Sequence, residues 1–427
     1  MTRIKRLITE GSWILAGQAM TVAGALALVR VLTENLDPVQ YGQLGLALTL
    51  ASLINQVAMG GVTAGIGRFY SISIDRGDLW GYLRASQRLM SYATFGICGV
   101  ALVLITGLFV IGQQKWIGLV SAVLVFSIMS GYNSAFNSIQ NAARQRAIVA
   151  LHSGIDAWLK IGLAVGFALW LGASSLAVVI GFALSTLLIT LSQIFFLWRL
   201  LLLYPTIVDK PIAEDWAKQM WLFSWPMMAG GLFSWGYYAS QRWALELFVS
   251  TAEVGKFYAL TQIAYTPISL GGSLFMSFLV PILYQRVADL GNHESVENVR
   301  NIVIKIAGVG VAATMLVTCI SVFLHDEIFR LLVDRRYHEL SSYMPLVVMS
   351  AGLLQASIAL GSILATVNKT RKVISLAVYG QIIIIITNMT FTYFFGINGL
   401  VYSMVFGAAL HIIWMYSIVL KHGNARL

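Results

Sequence analysis

Charged residues are scarce in this chain. Only 11 % of its 427 residues are Asp, Glu, Lys or Arg, whereas 58 % are hydrophobic and the mean hydropathy is +0.78. About a quarter of the residues of soluble globular proteins are charged, so this composition excludes that class. The apolar runs reach 20 residues or more, far beyond the ~10-residue strands of an outer-membrane barrel. Since helices satisfy their own backbone groups in lipid, the sequence predicts an all-α integral membrane protein.

Cysteines and long hydrophilic loops are also lacking. Cys98 and Cys319 lie in separate apolar runs, which argues against a disulfide framework and a cysteine metal site. The connections between runs are too short for a soluble catalytic domain, so we expect a protein that acts in the membrane and is not an enzyme. The basic N-terminus leads into the run from Gly11 to Val31 without a cleavage signature, which predicts a retained first span.

The basic residues predict the orientation of the chain. Of the 28 Lys and Arg residues, 20 fall on the side of the N-terminus, seven fall on the other side and Lys160 lies within the membrane. This asymmetry places both termini in the cytoplasm. The net charge of +10 then reflects topology and anionic lipid, without a nucleic-acid partner. The twelve predicted spans are 11–31, 41–65, 86–111, 116–138, 148–171, 174–198, 219–240, 255–279, 302–324, 343–366, 373–395 and 399–420.

The two halves of the chain share short sequence matches at a nearly constant separation. That separation is 212 or 213 positions near the first two spans and 227 positions near the fourth loop. Six spans per half is an even number, so the copies keep one orientation and relate by a pseudo-two-fold axis along the membrane normal. We predict six-helix lobes at 1–210 and 211–427 with a substrate site between them. The matches are Ser12-Trp13 with Ser224-Trp225, Asp37–Gln43 with Ser250–Lys256, and Asn141 and Arg144 with Asn368 and Arg371.

One apolar run contains three ionisable residues at helical spacing. His152, Asp156 and Lys160 follow one another at i, i+4 and i+8 and therefore share one face of a helix. Lys160 lies ~20 Å along the helix from a boundary near Arg146, at ~1.5 Å per residue. Ionisable groups at such depth normally face a bundle interior or a wet cavity, and they indicate function. At a separation of 227, their counterparts are Tyr379, Ile383 and Thr387, so the second copy is built without charge.

Several short motifs carry a resemblance to a known family. The chain resembles the bacterial polysaccharide transporters, the Wzx-type O-antigen flippases of the multidrug/oligosaccharidyl-lipid/polysaccharide (MOP) exporter superfamily. The resemblance covers nearly the whole chain. Its motifs are Arg30-Val31-Leu32 with Leu36, Pro38, Tyr41-Gly42, Gly60-Gly61 and Arg68, then Leu332-Val333-Asp334 with Tyr337, Asn368 to Arg371, and Gly396-Ile397-Asn398-Gly399-Leu400.

The resemblance implies a MATE-like fold of twelve spans in two lobes. It further implies that the protein moves an undecaprenyl-diphosphate-linked oligosaccharide from the cytoplasmic to the periplasmic leaflet of the bacterial inner membrane by alternating access. That role belongs to polysaccharide biosynthesis, for example of O-antigen in lipopolysaccharide. The implied partners are the lipid-linked oligosaccharide, the bilayer, a polysaccharide polymerase and a chain-length regulator.

A diphosphate in the membrane requires cations, because an unpaired anion in a low-dielectric medium is costly. Lys160 is the deepest candidate, with Arg30, Arg242 and Arg68 near the ends of spans. These arginines have another interpretation, as residues that reach the interfaces or anchor the cytoplasmic side. Asp156 and His152 are candidates for coupling to H⁺ or Na⁺. Alternatively, Asp156 forms a structural pair with Lys160. No other cofactor and no metal is expected.

Hydrogen-bonding side chains and flat rings are the candidates for contacts with sugars, although helix-to-helix polar contacts are the alternative. A break in the seventh span is the candidate gate. Two further functions stay open: a MATE-like drug/cation antiporter, and a membrane enzyme of polysaccharide assembly. The predicted glycan contacts are Asn133, Asn137, Gln18, Asn55, Trp225 and Trp235, and the predicted gate residues are Pro226, Gly230 and Gly231.

Overall fold

The computed structural model describes residues 3–202, 215–286, 293–366 and 370–423, and no strand occurs in these ranges. The predicted all-α membrane fold is confirmed. The helices are α1 (Arg3–Asn35), α2 (Pro38–Ile54), a π-helix (Asn55–Gly60), α3 (Gly61–Asp75), α4 (Leu79–Val110), a short 3₁₀ turn (Gln114–Trp116), α5 (Ile117–Ala142), α6 (Arg146–Leu171), α7 (Ser175–Leu201), α8 (Trp216–Phe248), α9 (Thr251–Ala264), α10 (Thr266–Arg286), α11 (His293–Leu332), a 3₁₀ segment (Arg335–Tyr343), α12 (Met344–Thr366) and α13 (Thr370–Gly423).

Within the described ranges, nine helical stretches are long and apolar enough to cross a membrane. The protein is therefore a multi-pass integral membrane protein. One of the nine, Val378–Leu420, contains a non-helical residue, Gly396, with φ of +59°. This residue lies between the predicted eleventh and twelfth spans. The count of twelve spans stays a prediction.

The chain divides into two compact units. The N-terminal unit contains Met1–Leu36 and Gln43–Trp235, and the C-terminal unit contains Asp37–Gly42 and Gly236–Leu427. Helix α8 contributes its first part to the N-terminal unit and its second part to the C-terminal unit. The predicted lobe boundary between residues 210 and 211 lies outside the described residues, as does Asn368, and it stays a prediction.

Each unit has its own hydrophobic core. In the N-terminal unit, Met59, Ile66, Tyr82, Trp216 and Met220 are at most 2 % exposed and belong to one cluster. Burial of such large side chains is the main contribution to packing of α3, α4 and the start of α8. The cluster of the C-terminal unit includes Leu283, Val299, Val303, Leu360 and Val419, from α10 to α13.

The helix ends follow local sequence signals. The side chain of Asp78 accepts a hydrogen bond from the Gly81 amide (3.0 Å) at the start of α4, and Ser174 caps α7 in the same way. Gly172 ends α6 with φ of +91°, a conformation that glycine adopts without strain.

The repeated segment found in the sequence forms a contact with its own copy. A Cβ atom added to Gly42 would overlap the Thr251 carbonyl oxygen, and one added to Gly255 would overlap the Pro38 carbonyl oxygen. Gly42 corresponds to Gly255, and Pro38 corresponds to Thr251, at the separation of 213. All four residues belong to the C-terminal unit. The starts of α2 and α9 therefore cross at a glycine pair, in reciprocal contacts that place a local two-fold axis at this point.

Candidate functional site: a polar network in the N-terminal unit

The charged pair predicted on the fifth span is formed in the structure. Lys160 Nζ lies 2.6 Å from Asp156 Oδ2 on α6. The other carboxylate oxygen of Asp156 accepts a hydrogen bond from Ser185 Oγ on α7, at 2.8 Å. Lys160 Nζ also lies 5.7 Å from the centre of the Phe126 ring on α5. Three helices of the N-terminal unit thus surround the pair, and the two charged side chains are 20 % and 22 % exposed.

The exposure pattern of α6 shows where this pair lies. Exposed apolar side chains form one helical stripe that includes Leu151, Ile155, Trp158 and Leu169. Their spacing of three, four and eleven positions follows one face of the helix, which in a membrane protein faces lipid. Asp156 and Lys160 lie outside this stripe and turn towards α5 and α7. The charges therefore lie inside the bundle of the unit rather than towards lipid.

Small residues allow these helices to approach closely. A Cβ on Gly181 of α7 would lie 2.7 Å from the Ala164 nitrogen of α6, and one on Gly17 of α1 would lie 2.6 Å from the Ala150 side chain. Such contacts let neighbouring backbones pack tightly in membrane helices. They fix the face of α6 that carries the charged pair against α7.

His152 extends the network towards one end of α6. Its Nε2 lies 3.0 Å from Ser192 Oγ, and its ring meets the Phe196 ring edge-on, with centres 5.5 Å apart. The side chain is buried. Next to Ser192 on α7, Gln193 donates a hydrogen bond to Asn137 Oδ1 (2.8 Å), and Asn137 donates to Asn133 Oδ1 (2.9 Å) on α5.

The structure thus places five of the predicted residues in three hydrogen-bonded groups on the neighbouring helices α5, α6 and α7, namely His152, Asp156, Lys160, Asn133 and Asn137. Sequence reasoning missed their partners on α7, Ser185, Ser192 and Gln193. A signal was present, because Ser185 and Ser192 are seven positions apart in an apolar run and share one helical face. We call these eight residues on α5, α6 and α7 the polar network.

The predicted arginines do not join the polar network. Arg30 pairs with Glu34 one turn along α1, at 2.5 Å, with both side chains more than one third exposed. The Arg68 guanidinium stacks over the Phe223 ring at 4.8 Å. In the C-terminal unit, the Arg242 guanidinium stacks over Tyr258 at 4.3 Å. Their assignment to the diphosphate stays a prediction.

The other predicted glycan contacts are dispersed. Trp235 Nε1 donates to the Thr49 carbonyl oxygen at 2.7 Å, so this ring is fixed to α2. Trp225 is 52 % exposed on α8, and Gln18 is partly exposed on α1. Asn55 donates to the Ala51 carbonyl oxygen, while its buried side-chain oxygen has no partner in the described part of the chain.

The predicted break at Pro226 does not end the seventh predicted span. Helix α8 continues through Pro226 to Phe248, as membrane helices often do when neighbours satisfy the freed backbone groups. The irregular backbone lies instead in the second predicted span, in the π-helix Asn55–Gly60. A Cβ on Gly231 would lie 3.2 Å from the Gln56 carbonyl oxygen, so α8 passes close to this segment. The gate assignment of Pro226, Gly230 and Gly231 stays a prediction.

The backbone supports a second alignment between the two copies. Gly172 and Gly396 both have positive φ and follow the fifth and eleventh predicted spans, which gives a separation of 224 rather than 227. Asp156 and Lys160 then correspond to Gly380 and Ile384. The predicted separation of 227 gives Ile383 and Thr387 instead, and in either alignment the second copy carries no charge at these positions.

Among the described residues, no group of three His, Cys, Asp or Glu side chains is placed to hold a metal ion. The network can exchange partners in one way, because Lys160 is held by a single carboxylate. An anion that reached Nζ would compete directly with Asp156, and Ser185 would keep the carboxylate in place.

Comparison with known proteins identifies the fold. No family model matches the chain, and no curated protein matches it by sequence. Among solved structures, an inward-facing multidrug resistance MATE family transporter of the MOP superfamily matches with a TM-score of 0.68 and 12 % identity, over 96 % of each chain. The chain has the MATE fold. The MATE multidrug transporter DinF-BH matches with a TM-score of 0.65 and 16 % identity, over 99 % of this chain and 96 % of its own.

The MATE fold also occurs in a MOP superfamily transporter from Pyrococcus furiosus, described by the reverse polarity of its binding pocket, which suggests a different function. That structure matches with a TM-score of 0.63 and 13 % identity, over 97 % of this chain and 95 % of its own. These matches confirm the MATE-like fold predicted from the sequence. The finer resemblance to O-antigen flippases stays a prediction.

Proposed function

We propose that this protein is a transporter that flips an undecaprenyl-diphosphate-linked oligosaccharide across the bacterial inner membrane. Both termini lie in the cytoplasm in this proposal, and a polysaccharide polymerase and a chain-length regulator act on the flipped lipid. The observation that carries the proposal is Lys160, an ammonium group inside a transporter-like bundle with one exchangeable partner. Charged groups at such positions mark substrate or ion pathways.

In the resting arrangement Asp156 holds Lys160, and the diphosphate replaces it when substrate enters. The ammonium group is a point charge suited to phosphate. Asp156, still bonded to Ser185, has then lost its cation and takes up a proton or sodium ion, which compensates the incoming negative charge. The amides of Asn133, Asn137 and Gln193 offer hydrogen bonds to sugar hydroxyls. Alternating access then exposes the loaded site to the periplasm.

The membrane potential favours this direction of transport. Moving one elementary charge across 100 mV involves about 2.3 kcal/mol. The cell interior is electrically negative. When the diphosphate and one bound cation leave it together, the net charge that moves outwards is still negative. Export therefore proceeds down the electrical gradient even though a cation accompanies the substrate.

A drug/cation antiporter is the second candidate, because two of the matched structures are named multidrug transporters. A cationic drug would need the Asp156 carboxylate free of Lys160. The pair at 2.6 Å works against this arrangement. A fold neighbour noted for reversed pocket polarity supports different substrates on this fold.

Complementation of a flippase-deficient bacterium tests the proposal. Lys160→Ala is expected to abolish surface glycan at matched protein levels. Lys115→Ala is the matched control, since Lys115 also stacks on an aromatic ring, Trp116 at 5.9 Å, but lies outside the network. Wild-type glycan in Lys160→Ala would overturn the phosphate assignment. Resistance to cationic dyes that depends on Asp156 and not on Lys160 would favour the antiporter.

A further inference from the structure

A second cationic site lies in the N-terminal unit, away from the polar network. A cavity of about 310 Å³ opens where the first turns of α4 and α8 meet. Two arginines one helical turn apart, Arg84 and Arg88, line one wall. The opposite wall is the start of α8, at Asp215, Trp216 and Ala217.

The floor of this cavity is a buried tryptophan held by a hydrogen bond. Trp216 is 2 % exposed, and its Nε1 donates a hydrogen bond to Asp78 Oδ2 at 2.7 Å. The other oxygen of Asp78 caps α4 by accepting from the Gly81 amide. The Arg76 guanidinium lies 5.5 Å from the centre of the Trp216 ring on another side. One carboxylate therefore joins the starts of α4 and α8.

The charges around the cavity favour an anion. Arg84 is exposed and forms no ion pair or hydrogen bond within the described ranges of the chain. Arg88 donates to the Tyr92 hydroxyl at 2.8 Å, which holds its guanidinium at the rim. The one carboxylate on the wall, Asp215, already accepts the Lys218 amide at 3.0 Å as the cap of α8. The two guanidinium groups thus outnumber the carboxylate, and their planar forks suit phosphate oxygens.

The position of the arginines in the sequence indicates the depth of the site. Arg84 precedes the third predicted span, 86–111, and Arg88 lies in its first turn, so both lie where a span meets the lipid headgroups. Basic residues at this level attract anionic lipids, with roughly 1 kcal/mol for each charge.

We propose that this cavity binds the phosphate group of an anionic phospholipid, with Arg84 and Arg88 as its ligands. The shared chemistry is a phosphate anion, which the membrane presents as a headgroup and the surrounding solution as free phosphate. The site involves none of the polar network residues. Failure of this proposal would leave the proposed transport function unaffected.

The test uses the full-length protein in detergent, with bound lipid counted by native mass spectrometry. Phosphatidylglycerol is expected to bind in preference to phosphatidylcholine. Arg84→Gln is expected to weaken that binding about fivefold, and Arg84→Gln with Arg88→Gln about 25-fold, from ~1 kcal/mol for each charge. The matched control is Arg199→Gln, because Arg199 is exposed like Arg84 and, like Arg88 on Tyr92, stacks on a ring, Phe195 at 5.2 Å.

Inorganic phosphate distinguishes the two sources. If it displaces phosphatidylglycerol and its own binding depends on Arg84 and Arg88, the site takes free phosphate. If it does not displace the lipid, the headgroup is the ligand. Either result supports a phosphate-binding site at Arg84 and Arg88. Equal binding of the two lipids by the wild type, unchanged binding by Arg84→Gln, or an equal loss in Arg199→Gln would overturn the proposal. Arg84→Gln removes no contact seen within the described chain, so it remains interpretable if the double variant fails to fold.

Discussion

The fifth span of the N-terminal unit and the eleventh span of the C-terminal unit end at corresponding glycines but differ in chemistry. The first carries His152, Asp156 and Lys160, whereas the second has Gly380 and Ile384 at the last two of these positions. In the C-terminal unit the polar contact at this level is between Ser357 and His411 Nδ1, at 2.6 Å. Because the same helix forms without charge, the charged pair is not a requirement of the fold, which is why we place the chemistry in the N-terminal unit.

The largest expected change in stability comes from removing one partner of the charged pair and leaving the other in place. Asp156→Ala leaves Lys160 unpaired inside the bundle and is expected to destabilise the protein by about 3–5 kcal/mol. Asp156→Leu with Lys160→Met, which imitates the uncharged copy, is expected to recover most of that stability without transport. Unfolding in detergent measures the first effect, and complementation measures the second. A double variant as unstable as Asp156→Ala would mean that the N-terminal unit needs its charges for folding.

A smaller effect is expected at the two corresponding helix ends. Gly172→Ala and Gly396→Ala each force a Cβ into a positive-φ conformation, at a cost of roughly 1–2 kcal/mol. Gly99→Ala is the control, because nothing lies within 4 Å of its added Cβ. Similar losses of thermal stability in the first two variants would confirm the separation of 224. A loss at only one of them would contradict the correspondence.

His152, which is buried, and His411, which is partly buried, offer a test of function at similar structural cost. His152→Gln and His411→Gln each weaken one side-chain hydrogen bond, to Ser192 and Ser357 respectively, so each is expected to lose about 1 kcal/mol of stability. Only His152→Gln is expected to change the dependence of transport on external pH. The measurement is glycan export in complemented cells across that pH range. An equal pH effect in His411→Gln would remove the distinction between the units.

The smallest effect is expected from the serine that holds the carboxylate. Ser185→Ala removes one hydrogen bond to Asp156, worth about 0.6 kcal/mol between membrane helices. Transport should fall severalfold rather than vanish, because Lys160 still holds Asp156. Thr190→Ala serves as control, since Thr190 bonds only its own helix, at the Thr186 carbonyl oxygen. Complete loss of transport in Ser185→Ala would assign Ser185 a direct contact with substrate.

Sequence periodicity was sufficient for the helices and for the pairing of Asp156 with Lys160, because both depend on spacing within one helix. The partners Ser185 and Gln193 lie on another helix, α7. The packing of Gly181 against Ala164 sets the position of α7 against α6, and the spacing of residues within one helix does not reveal such packing. The π-helix at Asn55–Gly60 was missed for a similar reason, since one inserted residue does not alter an apolar run. The exact separation between the copies stays a prediction, because short polar matches in loops do not determine register inside a helix.

The crossing of Gly42 and Gly255 has a consequence for the origin of the chain. Gly42 faces the Thr251 carbonyl group, and Gly255 faces the carbonyl group of Pro38, the residue that corresponds to Thr251. Such a self-complementary contact is called isologous, and it is the contact found in a two-fold homodimer. A six-helix ancestor could have made this contact with a second copy of itself before the copies were joined.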